Sequence, residues 1–209
     1  MGTRILAVTL VLVACAAGTA SATVTSDFSD SSKGLDGWVM WNQGGYTHSS
    51  HLKWVSDGLG GGYIEYDDSG YSGTDFFQAP AKFLGNWQAS LATEVSFRYR
   101  PKTHADYAIS AWLGGPGGSV YWDSGVIPTQ NVWKTWTMPL TASAWHTTDA
   151  TLQSVLSNVT SLKICGDLLN GSDLIDLDDV VRTDAPGLPA FALAGAVPVI
   201  GAVLRRRRR

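Results

Sequence analysis

Few residues of this chain combine the types and spacing that enzyme catalysis requires. Glycoside hydrolases place two carboxylates about 5–9.5 Å apart across the scissile bond, but the two glutamates, Glu65 and Glu94, lie in separate alternating segments, where such a pairing would be accidental. The four histidines fit no common zinc pattern, and Cys165 has no histidine partner in a thiol motif. No nucleophile elbow, phosphate loop or dinucleotide fingerprint occurs. The sequence therefore predicts a protein that is not an enzyme.

Tryptophan is the residue type best suited to binding chemistry in this chain. There are nine, and an exposed indole can stack on the apolar face of a sugar ring. Trp38 and Trp136 are expected in the core. For most of the other tryptophans, the alternative to ligand binding is that they are partly buried in the sandwich. Because they cannot all be buried, the candidates for ligand-contacting rings are Trp41, Trp54, Trp87, Trp122 and Trp145.

The elements that must position these residues are short strands. The segment around Val95, Phe97 and Tyr99 alternates apolar and polar side chains and is followed by Pro101, which is typical of a half-buried strand. About ten such runs are separated by clusters of Gly, Ser, Asp and Asn. This pattern predicts an all-β fold, a jelly-roll β-sandwich.

One short helix interrupts the strands. Leu152, Val155, Leu156 and Val159 follow the i, i+3, i+4, i+7 spacing of a helix with one apolar face. Thr148 is a suitable N-cap. The helix is expected to close one end of the sandwich.

The stretch Thr74–Asn86 predicts a rigid corner. Pro80 fixes φ and lacks an N–H, so the chain must leave the sheet there. Phe77 before it and Phe83 after it are expected to be buried anchors, and Gly85 can adopt a positive φ for the next turn. The segment is expected to stabilise the core and to have no catalytic or binding role.

The first 22 residues have the features of a signal peptide. A basic start, an apolar stretch and the small residues ending at Ala22 fit signal peptidase cleavage. The sequence "LVAC" ending at Cys15 offers an alternative, a lipobox in which that cysteine would be lipidated.

Residues 185–209 predict a membrane segment. Eighteen uncharged residues from Gly187 precede five arginines that start at Arg205. At about 1.5 Å per residue the stretch is just long enough to span as a C-terminal transmembrane helix, with the arginines on the cytoplasmic side. This end resembles the PEP-CTERM class of bacterial sorting signals, although the motif around Pro189 departs from the usual one. The resemblance implies processing by an exosortase-type enzyme.

The intervening domain, 23–184, is acidic. It holds nine Lys and Arg against all 18 Asp and Glu, so its net charge is −9. No basic patch with interleaved aromatics occurs. A surface of this sign does not attract nucleic acid.

The order of these segments resembles the laminin B domain, also called laminin IV type A. "FSDSSKGLDGW" is followed by "GGGYIEYDD", "FFQAPAKFLGN", the strand "EVSFRYR", a capped helix and "IDLDDV". The resemblance covers most of 27–182. It implies an extracellular, non-catalytic module.

Related carbohydrate-binding sandwiches hold a calcium ion where the terminal strands meet. Asp27 precedes the first strand and Asp178 lies in the last, so the resemblance suggests these two as ligands, with carbonyl oxygens completing the shell. Strand alternation makes Asp178 the better ligand and Asp179 the surface residue unless a bulge intervenes. The alternative is that both aspartates cap strand ends in solvent.

The sequence favours an exported structural or adhesion module of the bacterial cell envelope or extracellular matrix, anchored or sorted through its tail. Its expected partners are a matrix protein or an extracellular polysaccharide, the processing enzyme and the membrane. The alternative function is a carbohydrate-binding module. Three exposed coplanar aromatic rings on one sheet would favour that alternative.

Overall fold

The computed structural model describes residues 23–69 and 73–185. Within these ranges the chain forms twelve strands and one α-helix, α1 (Asp149–Leu156). The strands in chain order are β1 (Thr23–Ser26), β2 (Val39–Asn42), β3 (Thr47–His48), β4 (Leu52–Ser56), β5 (Gly62–Asp67), β6 (Asp75–Gln78), β7 (Ala92–Pro101), β8 (Ser110–Gly115), β9 (Gly118–Asp123), β10 (Lys134–Pro139), β11 (Ser161–Cys165) and β12 (Leu174–Asp184).

The strands form two six-stranded antiparallel sheets. The first sheet has the order β10-β7-β12-β5-β4, and β1 pairs with the second half of β12. The second sheet has the order β3-β2-β6-β11-β8-β9. Two sheets with one short helix agree with the β-sandwich that the sequence predicts. The pairing of β1 with β12 also confirms that the terminal strands meet.

The alternation in β7 produces the expected half-buried strand. Val95, Phe97 and Tyr99 are fully buried, whereas the residues between them are partly exposed. Their side chains join apolar residues from the second sheet, such as Ile164 and Leu113, in one hydrophobic core. Burial of these side chains is the main favourable term that holds the two sheets together.

The corner after β6 has the predicted form. Phe77 and Phe83 are both fully buried, and Pro80 precedes a short 3-10 helix over Ala81–Phe83. Gly85 adopts a φ of 105°, in the left-handed region that favours glycine. The chain therefore turns between two buried aromatic anchors.

Helix α1 confirms the predicted cap and apolar face. The Thr148 hydroxyl accepts a hydrogen bond from the backbone N–H of Thr151, and Leu152, Val155 and Leu156 are buried. Gly115 at the end of β8 allows a close approach, since a Cβ there would lie 2.5 Å from the Val155 carbonyl oxygen.

The predicted signal peptide, with Ala22, and the tail residues Pro189 and Arg205 lie outside the described residues. Among the residues that are described, no helix has both the length and the apolar character needed to cross a membrane.

Candidate ligand-binding face of the second sheet

The outer face of the second sheet carries a row of aromatic side chains. Trp41 of β2 lies opposite Phe76 of β6, and Trp112 of β8 lies opposite both Tyr121 of β9 and Lys163 of β11. Residues that pair directly in an antiparallel sheet project from the same face. Their sequence neighbours Met40, Phe77, Ala111 and Trp122 project into the core. We call Trp41, Phe76, Trp112 and Tyr121 the aromatic strip.

The rings of the aromatic strip contact one another in sequence across the sheet. Ring centroids are 5.6 Å apart for Trp41 and Phe76, 4.8 Å for Phe76 and Trp112, and 4.9 Å for Trp112 and Tyr121. From β2 to β9 the strip crosses four strand spacings, or about 19 Å. It is long enough to contact several sugar rings in a row.

The rings are inclined to one another. The interplanar angles along the strip are 50°, 85° and 60°, so the coplanar arrangement that would by itself indicate glycan stacking is not present. Phe76 is 5% exposed and acts as a spacer beneath its neighbours, whereas Tyr121 is 38% exposed. Trp41 and Trp112 are half-buried. The strip is a corrugated surface, not a flat platform.

Two clefts lie on either side of Trp112. The first, of about 320 Å³, is lined by Trp41, Phe76, Trp112, Lys163 and the polar side chains Gln43, Ser119 and Ser161. We call it the lysine cleft. The second, of about 470 Å³, is lined among others by Trp112, Tyr107, Tyr121, Asp123, Asp167 and Asn170. We call it the acidic cleft. Trp112 forms a wall of both.

Lys163 dominates the electrostatics of the lysine cleft. Its Nζ lies 3.1 Å from the centroid of the Trp41 ring, in a cation–π contact. Burial lowers the pKa of Lys163, and no carboxylate in residues 23–69 and 73–185 opposes that effect. The side chain is therefore a partly desolvated cation.

The acidic cleft is rich in hydrogen-bonding groups. Asn170 donates a hydrogen bond from Nδ2 to the Tyr107 hydroxyl (2.8 Å), and His146 Nε2 lies 3.0 Å from Asp123 Oδ2. Burial, together with the charge of Asp173, raises the pKa of Asp167 to about 6. These groups could position hydroxyls of a neutral ligand.

The outer face of the first sheet carries a different set of groups. Trp133 makes an edge contact with Tyr63 (5.5 Å), and the guanidinium carbons of Arg98 and Arg100 lie 4.9 and 4.7 Å from its ring centroid. Arg100 in turn pairs with the buried Asp176. The aromatic rings of this face are largely occupied by the protein's own cations.

The two glutamates do not form a catalytic pair. Glu65 forms ion pairs with Lys53 and Lys102 on the first sheet. Glu65 lies opposite Asp176 of β12, and Asp176 lies opposite Arg100 of β7. Glu94 is six residues away from Arg100 along β7, a distance of about 20 Å. That separation exceeds what either glycosidase mechanism tolerates.

A β-bulge lies at the predicted calcium ligands. Asp178 pairs with Arg98 and the next pairing is Val181 with Ser96, and Asp179 adopts a φ of 46°. The bulge breaks the alternation, so Asp178 and Asp179 both approach Arg98 Nη1, at 3.4 Å. The exception that the sequence analysis allowed, a bulge, therefore applies here, and Asp179 is still the more exposed of the two aspartates.

Asp27 lies near Asp178, but it directly follows the first strand, β1, and the expectation that it precedes that strand is wrong. The pKa of Asp178 is raised to about 6, first by burial and then by the charges of Asp179 and, more weakly, Asp27. Asp178 Oδ1 accepts a hydrogen bond from the Asp179 backbone N–H, and Oδ2 faces Arg98. A calcium ion here would have to share Asp178 with that guanidinium.

A second acidic group lies at the other end of the domain. Asp68, Asp167 and Asp173 each offer a carboxylate oxygen, and these oxygens lie within 4.8 Å of one another. Burial is the main cause that raises the pKa of Asp68 to about 6. The sequence analysis did not single out this group, because Asp68 follows β5 whereas Asp167 and Asp173 lie in the connection between β11 and β12, about 100 positions later.

A scan against protein-family models matches residues 76–191 to laminin B (domain IV). The chain belongs to the laminin B family. The match begins at β6, yet β1 to β5 are integral to this laminin B domain because they pair within both sheets. The predicted family resemblance is thus confirmed for the fold, and the family's fold is a non-catalytic one, in agreement with the absence of catalytic motifs.

Solved structures show the same fold at low sequence identity. The L4b domain of human laminin α-2 matches with a TM-score of 0.59 and 9% identity, covering 79% of this chain and 98% of that one. An exo-β-agarase matches with a TM-score of 0.50 and 10% identity, covering 73% of this chain and 23% of the agarase. A family 30 carbohydrate-binding module of a Clostridium thermocellum cellulase has a TM-score of 0.49 and 12% identity, covering 72% and 93%. Comparison with curated proteins returned no match.

The laminin B domain distributes the predicted tryptophans unevenly. Trp41 is in the aromatic strip. Trp54 is half-buried, and its Nε1 donates a hydrogen bond to the Phe28 carbonyl (2.9 Å). Trp87, Trp122 and Trp145 are 1%, 6% and 0% exposed, so these three are core residues that the folded domain does not present to a ligand. Burial of their large apolar rings between the sheets stabilises the fold.

Three members of the strip, Phe76, Trp112 and Tyr121, were not named as ligand candidates from the sequence, although the signal for the last two was present. Ile109, Ala111 and Leu113 alternate as buried residues, which places Trp112 between them on the opposite face. Tyr121 has the same relation to the buried Val120 and Trp122. Cys165 is the small buried residue that was expected, and burial raises the pKa of its thiol to about 12.

Proposed function

We propose that this laminin B domain is an exported, non-catalytic module that binds an extracellular polysaccharide along the aromatic strip. The observation that carries the proposal is the continuous row of Trp41, Phe76, Trp112 and Tyr121 across the outer face of one sheet. The opposite face of the molecule has aromatic rings as well, but its own arginines cover them. On the second sheet Lys163 covers the Trp41 ring in the same way, but among the described residues no cation lies over Trp112 or Tyr121. The second sheet therefore offers the more accessible aromatic surface at these two rings.

The chemistry of the strip suits a sugar chain. Pyranose rings present apolar C–H faces that pack on indole and phenol rings, while their hydroxyls need donors and acceptors at the sides. Gln43, Ser119 and Ser161 in the lysine cleft and Asn170 in the acidic cleft supply such groups. Because the rings are inclined, a twisted polysaccharide fits the strip better than a flat crystalline surface.

The cellular setting belongs to the same proposal. A signal peptide over 1–22 would export the chain, and the tail over 185–209 would hold it in the membrane until an exosortase-type enzyme cuts it. The mature domain would then be a component of the cell envelope or extracellular matrix.

A structural calcium ion is a further part of the proposal. Asp27 and Asp178 would hold it, and its charge would offset the net −9 of the domain. Asp178 is buried beside Asp179 and near Asp27, and burial first and these charges second raise its pKa. A cation would stabilise the ionised form of such a carboxyl.

The test is polysaccharide binding by residues 23–184, which contain every strand of both sheets. Wild type, Trp112→Ala and Trp133→Ala are compared by affinity electrophoresis and by pull-down on a panel of neutral and acidic polysaccharides. Trp133 is the matched control, because it is a half-buried tryptophan on the outer face of the other sheet. Loss of a central tryptophan contact should weaken binding roughly tenfold or more, and Trp133→Ala should bind as wild type.

Two results would count against glycan binding at this face. One is that no polysaccharide of the panel is retained by the wild-type domain. The other is that Trp112→Ala and Trp133→Ala, both shown to be folded by circular dichroism, bind equally well.

A further inference from the structure

The lysine cleft differs from the acidic cleft in the sign of its charge. Lys163 is the one charged side chain among the described residues that line the lysine cleft, whereas Asp123 and Asp167 line the acidic cleft. The two clefts share the wall formed by Trp112. A ligand that follows the aromatic strip therefore passes from a positive to a negative environment.

Lys163 lacks a carboxylate partner in the described part of the chain. Three other lysines have such partners: Lys53 and Lys102 share Glu65, and Lys82 pairs with Asp36. Lys134 resembles Lys163 in lying over a tryptophan ring, but it does so on the first sheet. Lys163 instead lies on the Trp41 ring at the edge of an open cleft. A desolvated ammonium that no anion neutralises is stabilised by an incoming anionic group.

The neutral groups around Lys163 select for an anion attached to a sugar. Trp41 and Trp112 flank the ammonium with apolar ring surface, and Ser161 and Gln43 add neutral polar groups. A small inorganic anion would form an ion pair with Lys163 but would not pack on the tryptophan rings. An anionic sugar would make both contacts.

We propose that the polysaccharide is anionic and that its carboxylate or sulfate ester contacts Lys163 in the lysine cleft. This inference rests on the proposed function and names its ligand class. The neighbouring sugar lies over Trp112 and Tyr121, where Asp123 and Asp167 accept hydrogen bonds from hydroxyls and repel a second anionic group placed there. Sugars that carry their charge at intervals along the chain suit this arrangement.

The overall charge of the domain opposes this binding at long range. A domain of net charge −9 repels a polyanion, but salt screens such repulsion beyond about 8 Å at physiological ionic strength. The contact with Lys163 is short and partly desolvated, so salt weakens it less. Binding should therefore be measured near 0.15 M salt, and it should decrease when the salt is lowered to about 0.01 M.

The experiment compares polysaccharides that differ only in charge. Partly methyl-esterified polygalacturonate is paired with its fully esterified form and lightly substituted dextran sulfate with dextran, so that charged sugars alternate with neutral ones, all with a chelator so that calcium cannot bridge carboxylates. The proteins are wild type, Lys163→Met and Lys134→Met, each as residues 23–184. Lys134 is the matched control, since its Nζ also lies over a tryptophan, 4.0 Å from the Trp136 centroid, but on the other sheet.

The expected result is that wild type binds at least one anionic polymer more tightly than its neutral counterpart, and that Lys163→Met loses roughly tenfold or more of that affinity while Lys134→Met does not. Preference for polygalacturonate identifies a carboxylate, and preference for dextran sulfate a sulfate ester. Lys163→Arg should retain the preference, because it keeps the charge.

The inference is overturned if the neutral polymers bind as well as the anionic ones, or if Lys163→Met and Lys134→Met are affected equally. Either result would leave glycan binding at the strip intact, provided that Trp112→Ala still abolishes retention. If no polymer binds and Trp112→Ala has no effect, the proposed function itself fails.

Discussion

Replacement of Phe77 by alanine tests whether the corner after β6 anchors the core. Phe77 is fully buried and makes edge contacts with Tyr66 and Tyr99, at centroid distances of 6.2 and 6.5 Å. All three rings lie between the sheets, in strands whose hydrogen bonds prevent them from closing an internal void. Truncation of a phenylalanine in such a site costs about 3–5 kcal/mol of the free energy of unfolding.

The adjacent residue provides a matched control. Phe76 is 5% exposed, nearly as buried as Phe77, but it projects from the outer face between Trp41 and Trp112. Its truncation opens a notch to solvent and not a closed cavity, so the loss is nearer the transfer term of about 1.5–3 kcal/mol. Phe76→Ala should also weaken polysaccharide binding, whereas the folded fraction of Phe77→Ala should bind as wild type.

The assay is urea denaturation followed by tryptophan fluorescence, together with calorimetry. For a domain of this length each kcal/mol lowers Tm by about 2–4 °C, so Phe77→Ala should melt roughly 6–20 °C below wild type. A cost below about 1 kcal/mol, the range of surface changes, would show that Phe77 is not an anchor. Equal costs for both variants with unchanged binding by Phe76→Ala would refute the assignment of the two rings to opposite faces.

The remaining predictions concern pH, calcium and the tail. Lowering the pH from about 7.5 to about 5 should raise the free energy of unfolding. A carboxyl whose pKa is about 6 in the folded state and near 3.8 in the unfolded state binds protons more tightly when folded. The carboxyls of this kind are Asp68, Asp167, Asp176 and Asp178. Below about pH 4 the trend should reverse as Glu65, Asp27 and Asp67, whose pKa values are lowered, become protonated. A flat urea midpoint across this range would contradict the assignment. Excess calcium should raise Tm by several degrees over chelator, about 2.7 kcal/mol at a hundredfold excess over Kd. Asp178→Asn should abolish that rise and Asp167→Asn should not; the reverse would place the ion in the other acidic group, and no rise at all would remove it. Deletion of 187–209 should release the protein into the medium, and continued membrane association would instead implicate lipidation of Cys15.

Local pattern was sufficient for the single elements. The alternation in β7, the cap at Thr148 and the corner at Pro80 each depend on residues within a few positions of one another. Steric and hydrogen-bonding preferences at this range do not need the rest of the molecule. These features were therefore predictable from the sequence.

The choice among the tryptophans was only partly predictable. Alternation in β8 and β9 places Trp112 and Tyr121 outward and Trp122 inward, so this much was available from the sequence. Trp87 follows the corner in an irregular segment, where no period indicates its direction. Its burial depends on a hydrogen bond from its Nε1 to the Phe83 carbonyl (2.8 Å) and on packing of the surrounding chain.

Residue order alone was enough to indicate the laminin B resemblance, the β-sandwich and the apolar face of each regular strand. The folded structure adds that β2, β6, β11, β8 and β9 lie side by side, so that Trp41, Lys163 and Trp112 meet although up to 122 positions separate them. It also decided that a bulge brings Asp178 and Asp179 to the same guanidinium. The physical reason is that alternation specifies a side chain's direction relative to its own strand, whereas the neighbour of that strand depends on pairing and packing between segments distant in the chain.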